Sequence, residues 1–177
     1  MKRSLIVAAI AFATLAGTAR AQQPIQFGVA GGVSLPTSDL SDQVKAGFNL
    51  AGSITLKSPA LPFGVRIEGA WDQFDLKGST DGNFRVLSLT GNGVLEFPSS
   101  TPVKLYGIGG VGVYNGRTSV DVSGGTLTSN SENKFGFNLG GGVRMPLGTL
   151  DTYIEARYHR ITDVDLSYIP VTFGIRF

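Results

Sequence analysis

Residues 168–177 read YIPVTFGIRF, and apolar side chains recur there at every second position. The apolar set consists of Ile169, Val171, Phe173, Ile175 and Phe177. The positions between them hold Pro170, Thr172, Gly174 and Arg176. A period of two is typical of a β-strand that turns one apolar face away from one polar face. This stretch therefore predicts a strand whose two faces meet different surroundings.

The same alternation recurs seven more times along the chain. It predicts strands near residues 25–35, 47–57, 63–72, 84–97, 103–114, 135–145 and 152–160. Short proline-containing connections at 58–62, 98–102 and 146–150 alternate with mostly longer polar ones at 36–46, 75–83, 116–133 and 162–167. Turns that are short on one side and long on the other are typical of outer-membrane barrels. The pattern predicts an all-β fold: a closed antiparallel transmembrane β-barrel of about eight strands, with short periplasmic turns and longer extracellular loops.

Alternation alone does not decide which face meets water. A soluble periplasmic lipocalin-like barrel would carry its apolar residues inside and many charges outside. Here charged residues make up only 16% of the chain, against about 25% in typical soluble domains. The polar face consists mostly of Gly, Ala, Ser, Thr and Asn, which suit a narrow lumen. We therefore predict that the apolar face contacts lipid.

Charges of both signs occur on the face predicted to line the lumen. We expect them either to pair across the interior as a buried network or to lie at the wet ends of the barrel. They are Arg66, Glu68, Asp72, Glu96, Lys104, Arg144, Glu155, Arg157 and Arg176.

Aromatic residues cluster near the predicted strand ends, where rings can form girdles at the two membrane interfaces. Ordinary core packing is the alternative interpretation. The residues are Phe48, Phe63, Trp71, Phe97, Phe135 and Tyr158.

Residues 1–21 resemble a secretory signal peptide. Lys2 and Arg3 precede an apolar run at 5–16, and Ala19-Arg20-Ala21 supplies the small-x-small cleavage pattern. An anchoring helix is the alternative, although the run is too short to span a bilayer. Cleavage before Gln22 would leave a domain of residues 22–177 with 12 Lys and Arg against 13 Asp and Glu. No basic stripe remains, so no nucleic-acid partner is expected.

Three segments resemble the small OmpA/OmpX/opacity-type outer-membrane barrels: YIPVTFGIRF at 168–177, LYGIGGVG at 105–112 and EARY at 155–158. The resemblance implies a location in the bacterial outer membrane, contact with its lipid and lipopolysaccharide, and a monomer. It also implies that Phe173, Ile175 and Phe177 belong to the signal read by the barrel-assembly machinery. Pro170 departs from the pattern, and a bulge or an unpaired neighbour is expected there.

Few residues suit catalysis or metal binding. The chain has one histidine, His159, and no cysteine, so we expect no metal site and no cofactor. The motif around His159, Arg157 to Thr162, is superficially similar to that of lipid A deacylases, but it lacks the expected Ser-Asn after the histidine. Alternation also turns His159 toward the lumen, so the sequence does not favour a lipid A-modifying enzyme.

The remaining functional predictions concern the barrel surface and its interior. The polar segment 116–133 is a candidate recognition loop, which favours a structural, surface-interaction or adhesion role. A small-solute pore is the alternative, although an eight-stranded barrel leaves little open lumen.

Overall fold

The computed structural model describes residues 25–57, 61–78, 82–122, 125–128, 132–148, 150–162, 164 and 166–177. The predicted signal peptide at 1–21 lies outside these residues. Within the described ranges, one short helix, α1, spans Asp39–Gln43. The nine strands in the same ranges are β1 Ile25–Thr37, β2 Gly47–Leu56, β3 Gly64–Asp75, β4 Gly82–Glu96, β5 Lys104–Val122, β6 Gly125–Thr128, β7 Asn133–Leu147, β8 Leu150–Ile161 and β9 Leu166–Arg176. No described helix is long and apolar enough to cross a membrane.

The sheet closes on itself. Its strand order is β4-β3-β2-β1-β9-β8-β7-β5-β6, and a further pairing joins β4 to β5. Eight antiparallel strands therefore form a ring, while β6 pairs with β5 beyond it. The first and last strands meet side by side, and Phe27 and Phe177 exchange two backbone hydrogen bonds of 2.9 Å. The predicted fold class, a closed barrel of about eight antiparallel strands, is confirmed.

The two faces of the sheet are inverted relative to a soluble protein. Leu50, Leu89 and Leu139 on the outside are each more than half exposed, whereas Arg66 and Glu155 on the inside are at most 2% exposed. Side chains of strands stand perpendicular to the sheet and alternate between its faces. The period of two therefore places apolar side chains outside and polar side chains inside on each strand of the ring. The lipocalin-like alternative, which needs an apolar interior, is wrong.

Several predicted boundaries need correction. The predicted loop 116–133 is largely strand, because β5 continues to Val122 and turns back as β6. The polar composition of this segment concealed alternating β-branched residues, which favour strands. The predicted loop 36–46 begins with two residues of β1 and contains α1. The other strands start or end within a few residues of their predicted limits.

Pro170 lies inside β9 without a bulge. It is the register partner of Ser34 on β1. On the β8 side the ladder pairs Ala156 with Val171 and His159 with Tyr168, and skips the two rungs between them. Proline has no N–H to donate. Two residue pairs of the β8–β9 ladder are therefore missing next to Pro170, while the register on either side of the gap is the same.

Inward glycines make room for tyrosine rings. Tyr106 lies over its cross-strand partner Gly142, and Tyr153 lies over its partner Gly174. A Cβ atom at either glycine would approach the ring to 2.6 Å or less. Small residues beside large rings are how a narrow barrel fills its interior.

Aromatic side chains mark both ends of the lipid-facing surface. Phe48 and Trp71 pack edge to face at the outer end, with ring centroids 5.9 Å apart. Phe63 and Phe97 are exposed at the periplasmic end. Membrane barrels commonly carry aromatic girdles at such positions.

Candidate functional site in the barrel interior

Four charged residues cross the middle of the lumen and form what we call the central charge cluster: Arg66, Glu68, Glu155 and Arg157. Nη1 of Arg66 lies 2.8 Å from Oε2 of Glu155 and 3.7 Å from Oε2 of Glu68. Arg157 pairs with Glu68 through Nη2 and with Oε1 of Glu155 through Nε, the latter at 2.9 Å. All four side chains are at most 5% exposed. Two positive and two negative groups thus neutralise each other away from water.

The strand order explains why these residues meet. Arg66 and Glu68 point inward from β3, and Glu155 and Arg157 point inward from β8. In the ring, β3 and β8 are four strands apart in either direction. The ion pairs therefore span the full width of the lumen.

Tyrosines support the central charge cluster from the side. The hydroxyl of Tyr106 donates a hydrogen bond of 2.6 Å to Oε2 of Glu155. The guanidinium of Arg66 lies over the rings of Tyr106 and Tyr153, 5.9 and 5.4 Å from their centroids. Cation–π contacts of this kind strengthen when desolvated, so the rings help to hold a charge that is shielded from water.

Asp72 belongs to a separate group nearer the outer end. Its Oδ1 accepts hydrogen bonds from Ser34 and from Nδ2 of Asn49, the latter at 2.7 Å. Its Oδ2 accepts one from the hydroxyl of Tyr168 at 3.3 Å. The sequence grouped Asp72 with the charges, but the structure gives it neutral donors and, among the described residues, no ion pair.

A second ionic group lies toward the periplasmic end. Glu96 pairs with Lys57 at 2.8 Å and with Arg144 at 2.9 Å, and Lys104 is 4.0 Å away. Arg144 also pairs with Asp151 at 2.8 Å. These side chains are partly exposed, so each pair is worth only about 0–1 kcal/mol. The paired inward charges thus lie at two depths, one shielded from water and one partly exposed.

Arg176 points into the lumen apart from both ionic groups. Its guanidinium lies 5.3 Å from the centroid of the Tyr153 ring. The side chain is 1% exposed, and its three nitrogens have no hydrogen-bond partner among the described residues. The ring of Tyr153 is therefore its main contact.

An apolar cluster lies at the outer end of the lumen, and we call it the outer cap: Leu40, Val44, Phe74, Val86, Tyr114, Ile161 and Tyr168. Leu40 and Val44 come from the β1–β2 connection and are at most 6% exposed. Burying two aliphatic side chains contributes about 1.5–3 kcal/mol each, which holds this connection down over the mouth. A polar loop was predicted here, and its inward-facing apolar residues were missed.

His159 lies inside the barrel beneath the outer cap, as the alternation predicted. Its Nδ1 is 3.0 Å from the hydroxyl of Tyr114, and its ring stacks on Tyr168 with centroids 5.1 Å apart. Among the described residues, no carboxylate or serine is hydrogen-bonded to it. Its described contacts are thus with the hydroxyl of Tyr114 and the ring of Tyr168.

The described part of the chain contains no group of three or more His, Asp or Glu side chains arranged to hold a metal ion. It does contain polar contacts that the sequence did not reveal, such as the 2.8 Å hydrogen bond from Asn138 to Asn92. Neutral polar side chains therefore also pair with each other inside the lumen.

Two residues of the predicted assembly signal, Phe173 and Ile175, share one face of β9, and Phe177 directly follows the strand. Phe173 is 54% exposed on the lipid side, and Ile175 and Phe177 are half-buried there. Ile175 pairs with Val29 on β1, next to the seam that closes the ring.

A closed antiparallel ring with an apolar exterior and a charged interior defines a transmembrane β-barrel. The sequence profile of the outer membrane protein beta-barrel domain matches residues 5–177. The chain belongs to this outer-membrane β-barrel family, and the resemblance to small OmpA-like barrels is confirmed.

Solved structures share the fold. Neisserial surface protein A is 17% identical, with a TM-score of 0.65 over 87% of this chain and 96% of that one. A major outer membrane protein from Thermus thermophilus is 16% identical, with a TM-score of 0.57 over 88% and 100%. The attachment invasion locus protein Ail of Yersinia pestis, solved with a heparin analogue, sucrose octasulfate, is 21% identical, with a TM-score of 0.52 over 88% and 100%. No curated protein matches the sequence.

Proposed function

We propose that the protein is an integral protein of the bacterial outer membrane that interacts with other surfaces through its outer loops, while its barrel neither conducts solutes nor catalyses a reaction. The proposal is supported mainly by the side chains that fill the interior. The central charge cluster spans the lumen, and the outer cap lies above it.

The outer end of the barrel carries a cleft. A half-open cleft of about 220 Å³ lies there, lined by residues of β4, β5, β7, β8 and β9. Tyr114, Ile161 and Leu166 line it, and all three also belong to or pack against the outer cap. The cleft is therefore lined in part by side chains of the outer cap.

The β5–β6 hairpin supplies a structured element for contact. β5 is 19 residues long, and its last four residues pair with β6. Outer loops on a rigid barrel are where recognition commonly resides. This arrangement supports an interaction role more than a lipid A-modifying one, since His159 faces the interior and not the lipid.

We expect purified protein in planar lipid bilayers to show no steady single-channel conductance, because ions would have to cross both the outer cap and the central charge cluster. A large-pore porin inserted by the same procedure provides the positive control. Reproducible current steps would contradict the closed barrel.

Replacing residues 119–131 by a short Gly-Ser turn should reduce surface attachment severalfold without unfolding the barrel, because the ring itself does not include β6. Attachment is measured as retention of cells displaying either form on plain and collagen-coated glass. Heat-dependent gel migration checks that both forms are folded. Equal retention of the two forms would contradict the role of the hairpin.

A further inference from the structure

Two arginines lie directly opposite each other on neighbouring strands at the outer end of the barrel. Arg85 on β4 is the register partner of Arg117 on β5. On its other side Arg85 is the partner of Gln73 on β3. The three residues form one row across three strands, which we call the arginine row.

The arginine row faces outward. Val86 is fully buried in the lumen and Leu87 is exposed to the lipid side, so Arg85, two residues from Leu87, shares its outward face. Tyr114 points inward and Val113 points outward, so Arg117 also points outward. Register partners lie on the same face of a sheet, and the two assignments agree.

The two charges lack compensation within the described part of the chain. Like charges directly opposite on adjacent strands are destabilising. Neither arginine has an ion pair with a described carboxylate, although Asp75 lies one outward position beyond Gln73 on β3. Two guanidinium groups that face each other without an ion pair to a described carboxylate would be stabilised by an anionic ligand.

The position of the arginine row along the barrel axis indicates which anion lies near it. It lies two residues beyond the pair Trp71–Leu87, about 7 Å along the strands. Trp71 belongs to the outer aromatic girdle, which marks the edge of the hydrocarbon layer. Just outside that edge are lipid headgroups, and in the outer leaflet of an outer membrane these carry the phosphates of lipid A.

We propose that Arg85 and Arg117 together bind a lipid A phosphate, with the Gln73 amide as a third donor. Guanidinium groups donate paired hydrogen bonds that match phosphate oxygens. A phosphate between the two arginines would replace their mutual repulsion with attraction. The inference rests on the proposed location in the outer membrane and adds a lipid-binding site to it.

The test compares single variants, Arg85→Gln and Arg117→Gln, with the double variant in detergent solution. Binding of bisphosphorylated lipid A is measured by native mass spectrometry. We expect each single change to weaken binding by about tenfold and the double variant to retain only background binding. Lys104→Gln removes one positive charge at the periplasmic end, where the side chain is 41% exposed, and should leave the affinity unchanged.

The outcomes separate the sources of the anion. Lipid A without phosphates should bind the wild type and the double variant equally weakly. Unchanged lipid A binding by a folded double variant, confirmed by heat-dependent gel migration, would overturn the proposal. Binding of inorganic phosphate alone at the same concentration would also overturn it. The same holds if the protein binds sucrose octasulfate while neither arginine substitution changes its affinity for lipid A. Conductance steps in bilayers would contradict the closed barrel but not lipid A binding, so the two proposals fail separately.

Discussion

Replacing Glu155 with alanine is expected to destabilise the barrel by about 3–5 kcal/mol. The carboxylate accepts from Arg66, Arg157 and the hydroxyl of Tyr106, at 2.8, 2.9 and 2.6 Å. Its removal leaves Glu68 as the one acid facing two arginines and leaves the Tyr106 hydroxyl unpaired. An uncompensated charge away from water costs far more than the lost contacts themselves.

Urea unfolding of detergent-solubilised protein, followed by heat-dependent gel migration, measures this loss. Glu132→Ala is the matched control, since that glutamate is 74% exposed and pairs only with Lys134 at 3.1 Å among its described ion pairs. Its removal should change stability by at most about 1 kcal/mol. Equal effects of the two substitutions would show that the central charge cluster does not stabilise the fold.

Replacing Gly140 with valine should lower stability by about 1–3 kcal/mol or prevent folding. Gly140 faces inward on β7, and a Cβ atom there would approach the carbonyl oxygen of Ala156 to 2.1 Å and Cα of Arg157 to 2.6 Å. Backbone atoms cannot rotate away as a side chain can. Any shift of β8 would also move Arg157 within the central charge cluster.

Gly91→Val provides the comparison for this second variant. Gly91 faces the lipid on β4, and a Cβ atom there would meet nothing within 4 Å. A β-branched residue suits a strand and adds apolar surface toward lipid, so stability should be unchanged or higher. If both valine variants unfold at the same urea concentration, close packing at Gly140 does not contribute to the stability of the barrel.

The faces of the strands followed from the sequence because alternation is a local property. Val171 and Phe173 turned out to face lipid and Arg157 to face the lumen, as the period of two required. Even the glycine-rich β5, where Tyr106 and Ile108 look apolar, has these two residues inside and Leu105 outside. Glycine does not interrupt a pattern that depends only on position along the strand.

The contact partners of the inward residues could not be predicted from the alternation in the sequence. Asp72 contacts Ser34, Asn49 and Tyr168 because four neighbouring strands bring them to one level. That level depends on the register between strands, which no single segment encodes. The inward turn of Leu40 likewise depends on the width of the mouth that it fills. Contacts set by register and curvature become visible only once the ring is built.

The pairs that join β3 to β8 have a consequence for assembly. Arg66 and Glu155 are 89 residues apart in the chain and reach each other across the diameter of the ring. Diameter grows with the number of strands, so a ring with more strands would leave these groups too far apart, and one with fewer would crowd them. An open sheet on the way to closure would keep only the pairs within each strand, Arg66 with Glu68 and Arg157 with Glu155, and would lack the pairs between the two strands. The ion pairs across the lumen thus stabilise a ring of eight strands over larger or smaller rings. They form only after the last strand has paired with the first.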